Sequence, residues 1–248
     1  MIIGIIGFGN LGRALTSGLI KSGVPAGDVF ICDSSAEARS AAENEYLVSA
    51  SADAAFVIGK ADIVFLTVKS YVFEAIAPTI DRNLFAGKTV VSFMAGVSFE
   101  KIYALIGEVE LVRGMPSLAI SECEGVIGYT AAPPALAEIF SKLGYAFETA
   151  PEDIEKVMAF SSCGLGFAAY LLDAFASAGR TMGFSPETSA RISALTFKNA
   201  VGRSDFRETV KAVATPGGAT EQGVMHMDAS HVYDIIAEAV RKAYERMT

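Results

Sequence analysis

Six residues near the start of the chain, Gly7-Phe8-Gly9-Asn10-Leu11-Gly12, restrict what it can fold into more than any others. They follow Ile2-Ile3-Gly4-Ile5-Ile6, an apolar run that reads as a strand buried on both faces. They also open Leu11–Ser22, which reads as a helix. In that context the G-x-G-x-x-G spacing is the turn on which a dinucleotide's phosphates rest. Gly7 permits the tight turn, Gly9 lets a pyrophosphate approach the backbone, and Gly12 lets the helix pack close to the sheet. Asn10 and Leu11 stand at the helix N-terminus, where free N–H groups and positive partial charge favour an anion. Asp33 ends the second predicted strand, about 20 residues further on, where an acid takes the ribose hydroxyls of NAD. That favours NADH, but Ser34, Ser35 and Arg39 follow at once and could accept a 2′-phosphate instead, so NADPH also remains open.

The alternation continues. Short β-branched runs at Val29–Asp33, Tyr46–Ser49, Ile63–Val68, Thr89–Phe93, Leu111–Met115, Val126–Thr130 and Tyr145–Thr149 are separated by helix-forming stretches. Repeated βα units of this kind build a doubly wound α/β domain of the Rossmann type, placed at residues 1–150. Beyond Pro151 the strand signals nearly stop. Glu152–Gly179, Pro186–Gly202, Asp205–Val213 and Ala229–Arg246 all read as helices, so residues 151–248 are expected to form an all-α domain. Ser185 and Pro186 mark a helix start, as N-cap and first helical residue. In the last helix Val232, Ile235, Ile236, Ala239, Val240 and Ala243 share a face that must pack against something. A helical unit of this size is short of core by itself, so it is expected to pair with its copy in a homodimer or a higher homo-oligomer.

Composition excludes several function classes. A net charge of -8 without a basic cluster opposes nucleic-acid binding. No basic segment precedes the first strand, and no apolar stretch looks long enough for a membrane span of roughly 20 residues, so a cytoplasmic protein is expected. Cys32, Cys123 and Cys163 are odd in number and far apart, which fits reduced core residues. His226 and His231 lack further ligands nearby in the sequence, so no metal site is expected.

One later segment carries a second chemical signal. Val213-Ala214-Thr215-Pro216-Gly217-Gly218-Ala219-Thr220 is a Pro-Gly-Gly turn flanked by hydroxyls, leading into a predicted helix Glu221–Met227. Consecutive N–H groups backed by a helix N-terminus suit a small carboxylate, and the Thr220 hydroxyl can add a hydrogen bond. The same turn would also serve simply to connect two helices.

The stretch Thr215–Thr220 resembles the (S/T)PGG(A/T)T signature of pyrroline-5-carboxylate reductases. Gly7–Gly23, Ala61–Ser70, Val90–Ser98, Val112–Ser117 and Asp173–Ala194 resemble the same family, so the likeness covers almost the whole chain. It implies that Val68, Lys69, Ala95 and Gly96 line the nicotinamide side of NADPH or NADH. It implies that Thr215, Gly217, Gly218, Ala219 and Thr220 hold the carboxylate of a cyclic imino acid at a subunit interface. The implied reaction is hydride transfer to the C=N bond of 1-pyrroline-5-carboxylate, giving L-proline. The imine nitrogen can enter protonated or take its proton from water or a nearby hydroxyl, for which Thr220 is the candidate catalytic residue. Four places depart from the family pattern: Ser117-Leu118 stands where it has Asn-Thr, Leu165 lies in a segment without its proline, Asp53-Ala54 stands where an asparagine is usual, and Val201–Glu208 is shorter than the family's glutamate-bearing connection. These leave a related cyclic imine, or a regulator that binds the dinucleotide without turnover, as alternatives. A further alternative is another reductase on the scaffold, a deazaflavin:NADP oxidoreductase or a hydroxyacid dehydrogenase relative with Lys156 as its catalytic lysine.

Overall fold

Strands of β-branched residues, each followed by a helix with one apolar face, assemble into an eight-stranded sheet of order β3-β2-β1-β4-β5-β6-β7-β8. The computed structural model describes residues 1–203 and 205–247. The first half of the sheet comprises β1 (Ile3–Ile6), β2 (Val29–Cys32), β3 (Ser49–Ser51) and β4 (Ile63–Leu66), and the second β5 (Thr89–Ser92), β6 (Glu110–Pro116), β7 (Gly125–Tyr129) and β8 (Gly144–Glu148). Neighbours pair in parallel except β6 and β7, which are antiparallel. The helices between them are α1 (Asn10–Lys21), α2 (Ala36–Tyr46), α3 (Ala54–Lys60), α4 (Ser70–Ile76), α5 (Phe99–Ile106) and α6 (Pro134–Lys142).

Side-chain alternation along the strands divides the core in two. Ile3, Ile5, Phe65 and Val91 join Leu15 and Leu19 of α1 and Phe140 of α6 in one apolar cluster. Ile6, Val64, Leu66 and Val90 join Val57 of α3, Phe73 of α4 and Ile102 of α5 in the other. Helices therefore cover both faces, which is what a parallel sheet of near-continuous apolar strands requires. The chain runs outward from β1 through β2 to β3, then returns to place β4 on the other side of β1. A crevice opens at such a reversal, at the carboxyl ends of the strands.

Two expectations need correction. The run Tyr46–Ser49 is not a strand: Tyr46 is the last residue of α2, Leu47 closes that helix in the left-handed conformation, and β3 begins at Ser49. The Tyr46 ring packs edge-on against Phe8 at 6.0 Å, a tertiary contact that overrides its strand propensity. The second correction concerns length and hydropathy. No apolar stretch was expected to be long enough for a span, yet the helical run Pro151–Thr181 is long and apolar enough to cross a membrane by length and composition alone.

The helical half contains α7 (Ile154–Val157), a π-helical turn at Met158–Ser162, α8 (Cys163–Thr181), α9 (Pro186–Val201), α10 (Phe206–Val213), α11 (Ala219–Ala229) and α12 (Val232–Glu245). As expected, Ser185 caps α9, accepting from the Thr188 N–H, with Pro186 just inside. By compactness the chain divides into Met1–Ser162 with Tyr244–Thr248, and Cys163–Ala243. The segment from Pro151 to Ser162 thus goes with the sheet, beyond the boundary expected at 150.

Within Cys163–Ala243, Phe175 and Phe197 meet edge to face at 5.8 Å, joining α8 to α9. Ser189 and Ser193 are buried, with Ser189 packed beside Gly179. The apolar face expected on α12 is present but open, with Ile235 61% exposed.

Candidate functional site

The glycine loop after β1 is built as its spacing requires. Gly7 has φ +106°, and a Cβ there would stand 2.6 Å from Val68 Cγ1. A Cβ on Gly12 would fall 2.0 Å from the Gly7 carbonyl oxygen, so only glycine lets α1 start this close to the strand end. The Thr67 hydroxyl, following β4, donates to the carbonyls of Gly7 at 2.7 Å and Ile6 at 3.0 Å and locks the loop to its neighbour strand.

A cavity of about 780 Å³ opens at this switch point. Its wall brings together Gly7, Gly9, Asn10, Leu11, Asp33, Ser34, Val68, Lys69 and Ala95, nine of the residues assigned to a dinucleotide. Gly12 and Gly96 lie off the wall, Gly12 acting through the packing just described. A Cβ on Gly9 would meet no atom within 4 Å, so the absent side chain leaves open space beside the start of α1. That gap, the N–H groups of α1 and an adjoining acid at the end of β2 together fit a dinucleotide.

Asp33 is held from two sides. Its Oδ2 accepts from the Phe8 N–H at 2.7 Å and its Oδ1 from the Ser35 N–H at 2.9 Å. Arg39 Nη1 donates to the carbonyl oxygens of Asp33 at 2.8 Å and Ser34 at 3.0 Å. Ser35 caps α2, accepting from the Ala38 N–H. Behind them Cys32 has its thiol pushed up to about 11, first by burial and then by the charges of Asp33 and Asp53, with Arg39 opposing.

The other end of the cavity is lined by Phe93, Met94, Met115, Pro116, Leu118, Met158 and Ser162. Ser117, which replaces the family's asparagine, is buried, and its Oγ accepts from the Val126 N–H at 3.0 Å. Leu118, which replaces the family's threonine, is 44% exposed and forms part of the wall.

Sequence reading missed an ion pair beneath this end. Arg113 Nη2 lies 2.5 Å from Glu155 Oε1, with side chains 6% and 12% exposed. The same carboxylate oxygen accepts from the Gly96 N–H at 3.3 Å, so Glu155 ties β6 to the turn after β5. An arginine inside the apolar run Leu111-Val112-Arg113-Gly114-Met115 was the available signal, since a buried charge demands a partner. Lys156, the lysine considered for a dehydrogenase, is instead exposed and paired with Asp153 at 2.5 Å.

The Pro-Gly-Gly loop lies between α10 and α11. The Gly218 N–H donates to the Thr215 carbonyl at 2.8 Å, and the Gly217 N–H donates to Glu221 Oε2 at 2.7 Å. Two of the amides expected to stand free therefore have partners within the loop, one of them a carboxylate. Ala219 and Thr220 form the first turn of α11, and both are exposed. Among the described residues no cluster of three or more potential metal ligands occurs.

Residues 2–96 match the family model described as NADP oxidoreductase coenzyme F420-dependent, and residues 151–248 match that of pyrroline-5-carboxylate reductase dimerisation. A pyrroline-5-carboxylate reductase of Pseudomonas aeruginosa is 28% identical over 261 residues, covering 98% of this chain and 94% of that protein. The enzyme of the same name from Aquifex aeolicus is 25% identical, covering 99% and 96%. Among solved structures, Plasmodium falciparum pyrroline carboxylate reductase with NADP bound superposes with a TM-score of 0.90 at 20% identity, covering 100% of this chain and 97% of that one. An imine reductase from Pseudomonas sp. gives 0.64 at 20% identity, covering 97% and 86%; at this distance both likenesses concern the fold. The dimerisation match spans the helical half and relatives of one name span nearly the whole length, so the chain is similar from end to end to pyrroline-5-carboxylate reductases.

Proposed function

We propose that this protein is an oxidoreductase that reduces the C=N bond of 1-pyrroline-5-carboxylate to L-proline with NADPH or NADH. The observation that carries the reading is the single cavity that joins the glycine loop, Asp33 and the turns after β4 and β5 at the switch point of the sheet. When bound there, the reduced dinucleotide supplies the hydride, and the protein supplies position and electrostatics. Gly7, Gly9, Asn10, Leu11 and Gly12 hold the pyrophosphate, with Asp33 and Ser34 at the adenosine ribose. Val68, Lys69, Ala95 and Gly96 flank the nicotinamide. Glu155 keeps the Gly96 turn in place from behind.

The loop Thr215–Thr220 holds the substrate carboxylate. Glu221 now occupies the Gly217 N–H, so the incoming carboxylate takes over a place that a carboxylate already fills. The Thr220 hydroxyl is the candidate from this chain to supply a proton to the imine nitrogen. Thr220→Val is expected to lower kcat for a neutral imine while leaving dinucleotide affinity unchanged.

The open apolar faces of α8 and α12 are covered by a second copy of the chain, giving a homodimer or a larger assembly. The protein works in the cytoplasm, where Cys32, Cys123 and Cys163 stay as the free thiols they are here.

A second reading, reduction of a related cyclic imine, draws on Ser117 and Leu118. Ser117 turns its hydroxyl to the Val126 backbone, and Leu118 presents an apolar wall in place of a hydroxyl. One experiment separates the readings. The protein is incubated with dinucleotide carrying deuterium at the hydride position and a panel of cyclic imines, and the products are identified by mass spectrometry. Deuterium in proline, formed faster than any other product, is the expected result. Faster labelling of another imine would favour the second reading.

A further inference from the structure

We propose that Asp33 makes NADH, rather than NADPH, the preferred donor of this enzyme. The proposal rests on the dinucleotide reading of the cavity and narrows it.

The argument begins with the inventory of hydrogen bonds at the end of β2. A carboxylate is acceptor-only, with about four lone-pair sites. On Asp33 two of them are filled, by the Phe8 N–H at 2.7 Å and the Ser35 N–H at 2.9 Å, one on each oxygen. The remaining two face a need that ribose hydroxyls meet, because a hydroxyl brings a proton to donate. A 2′-phosphate brings two negative charges or nearly so and no proton where one is wanted. The two backbone anchors also keep the carboxylate from swinging aside to admit a phosphate, and one of them belongs to the glycine loop itself.

The two cations of this corner already have partners. Arg39 Nη1 bridges the carbonyl oxygens of Asp33 and Ser34. Arg13 pairs with Glu45 at 2.9 Å and lies 4.7 Å from the Phe8 ring centre. Asp53, where relatives place an asparagine, adds a second carboxylate; it caps α3 by accepting from the Ala55 and Phe56 N–H groups. The negative field is visible on a neighbour, since the charges of Asp33 and Asp53 add to burial in raising the Cys32 thiol, and Arg39 opposes them only in part. Like charge placed where a ligand's charge must go is a device for rejecting that ligand.

The test is an equilibrium titration of the intact protein with NADH and with NADPH, read by the fluorescence of the reduced nicotinamide. It needs no imine, so its outcome is independent of whether the proposed reaction holds. NADH is expected to bind on the order of tenfold more tightly or better. Asp33→Asn keeps an acceptor for the Phe8 N–H while removing the charge, and is expected to bring the two affinities within about threefold. Asp33→Ser is expected to carry the ratio past unity towards NADPH. Both donors are measured on the same preparation, so a general loosening of the loop cancels from the ratio. Tighter binding of NADPH by the unaltered protein overturns the proposal and gives the phosphate to Arg39. An NADH preference that survives both substitutions overturns Asp33 as its cause.

Discussion

In the sheet unit the rings of Phe8, Phe65, Phe73, Phe85 and Phe140 are enclosed by their own chain, whereas in Cys163–Ala243 Ala176 is the one apolar residue buried among the described residues. Elsewhere in those helices Tyr170, Phe206 and Tyr233 are 76%, 66% and 73% exposed. The two regions differ in where their hydrophobic partners come from. Helices on both faces of the sheet supply them within the first unit, whereas the second leaves its apolar side chains open, for the second copy of the chain proposed above. The apolar character of Pro151–Thr181 fits the same distinction in its later part, Cys163–Thr181, since a helix that meets an apolar partner protein needs the same residues as one that meets lipid. The distinction also separates the chemistry, because the self-contained unit can hold a shaped cavity before any association takes place.

Truncations sharpen the contrast, and the largest effect belongs to the sheet. Phe65 touches the rings of Phe93 and Phe140 at 5.5 and 6.4 Å with no exposure, so Phe65→Ala should remove about 3–5 kcal/mol of stability in a denaturant titration. Glu155→Ala strands the buried Arg113 guanidinium and should cost about 3–5 kcal/mol. The joint replacement Arg113→Met with Glu155→Leu should recover most of that stability but not the KM for the dinucleotide, because the Gly96 turn loses its anchor in both.

Tyr170 provides the helical counterpart. Tyr170→Asp should leave the thermal unfolding of the sheet unit within about 0.5 kcal/mol of its original value, as an exposed substitution does. It should instead weaken self-association by about 2 kcal/mol, seen as a shift towards monomer in sedimentation. Unchanged assembly with a destabilised sheet would break the comparison.

The smallest effect is a pH dependence from Cys32, whose thiol titrates near 11 when folded and from the ordinary value of 9.0 when unfolded. Between those values the unfolded chain holds fewer protons, so stability falls as pH rises through that window and is fully present below it. Cys32→Ala should flatten the slope.

Much of this was legible in the residues. The glycine loop, Asp33 and the alternation of strands with helices follow local rules, and nine assigned residues meet at one cavity. The capping residue Ser185 and its proline were equally plain. Tyr46 was not, because its place in α2 depends on Phe8, far away in sequence. Glu155 was missed because its partner Arg113 sits on another element, and neither residue alone tells which charge it meets. The partners of the Gly217 and Gly218 amides were hidden for the opposite reason: they lie within four residues, yet a Pro-Gly-Gly pattern does not say which acceptor turns inward.

The most direct test of the account is to mix the purified protein with 1-pyrroline-5-carboxylate and follow the absorbance of NADH and, separately, NADPH. Rapid loss of the signal with formation of proline, faster for NADH, is the expected result. Tight binding of both donors with no loss from either would contradict the account and leave the cavity as a dinucleotide sensor's.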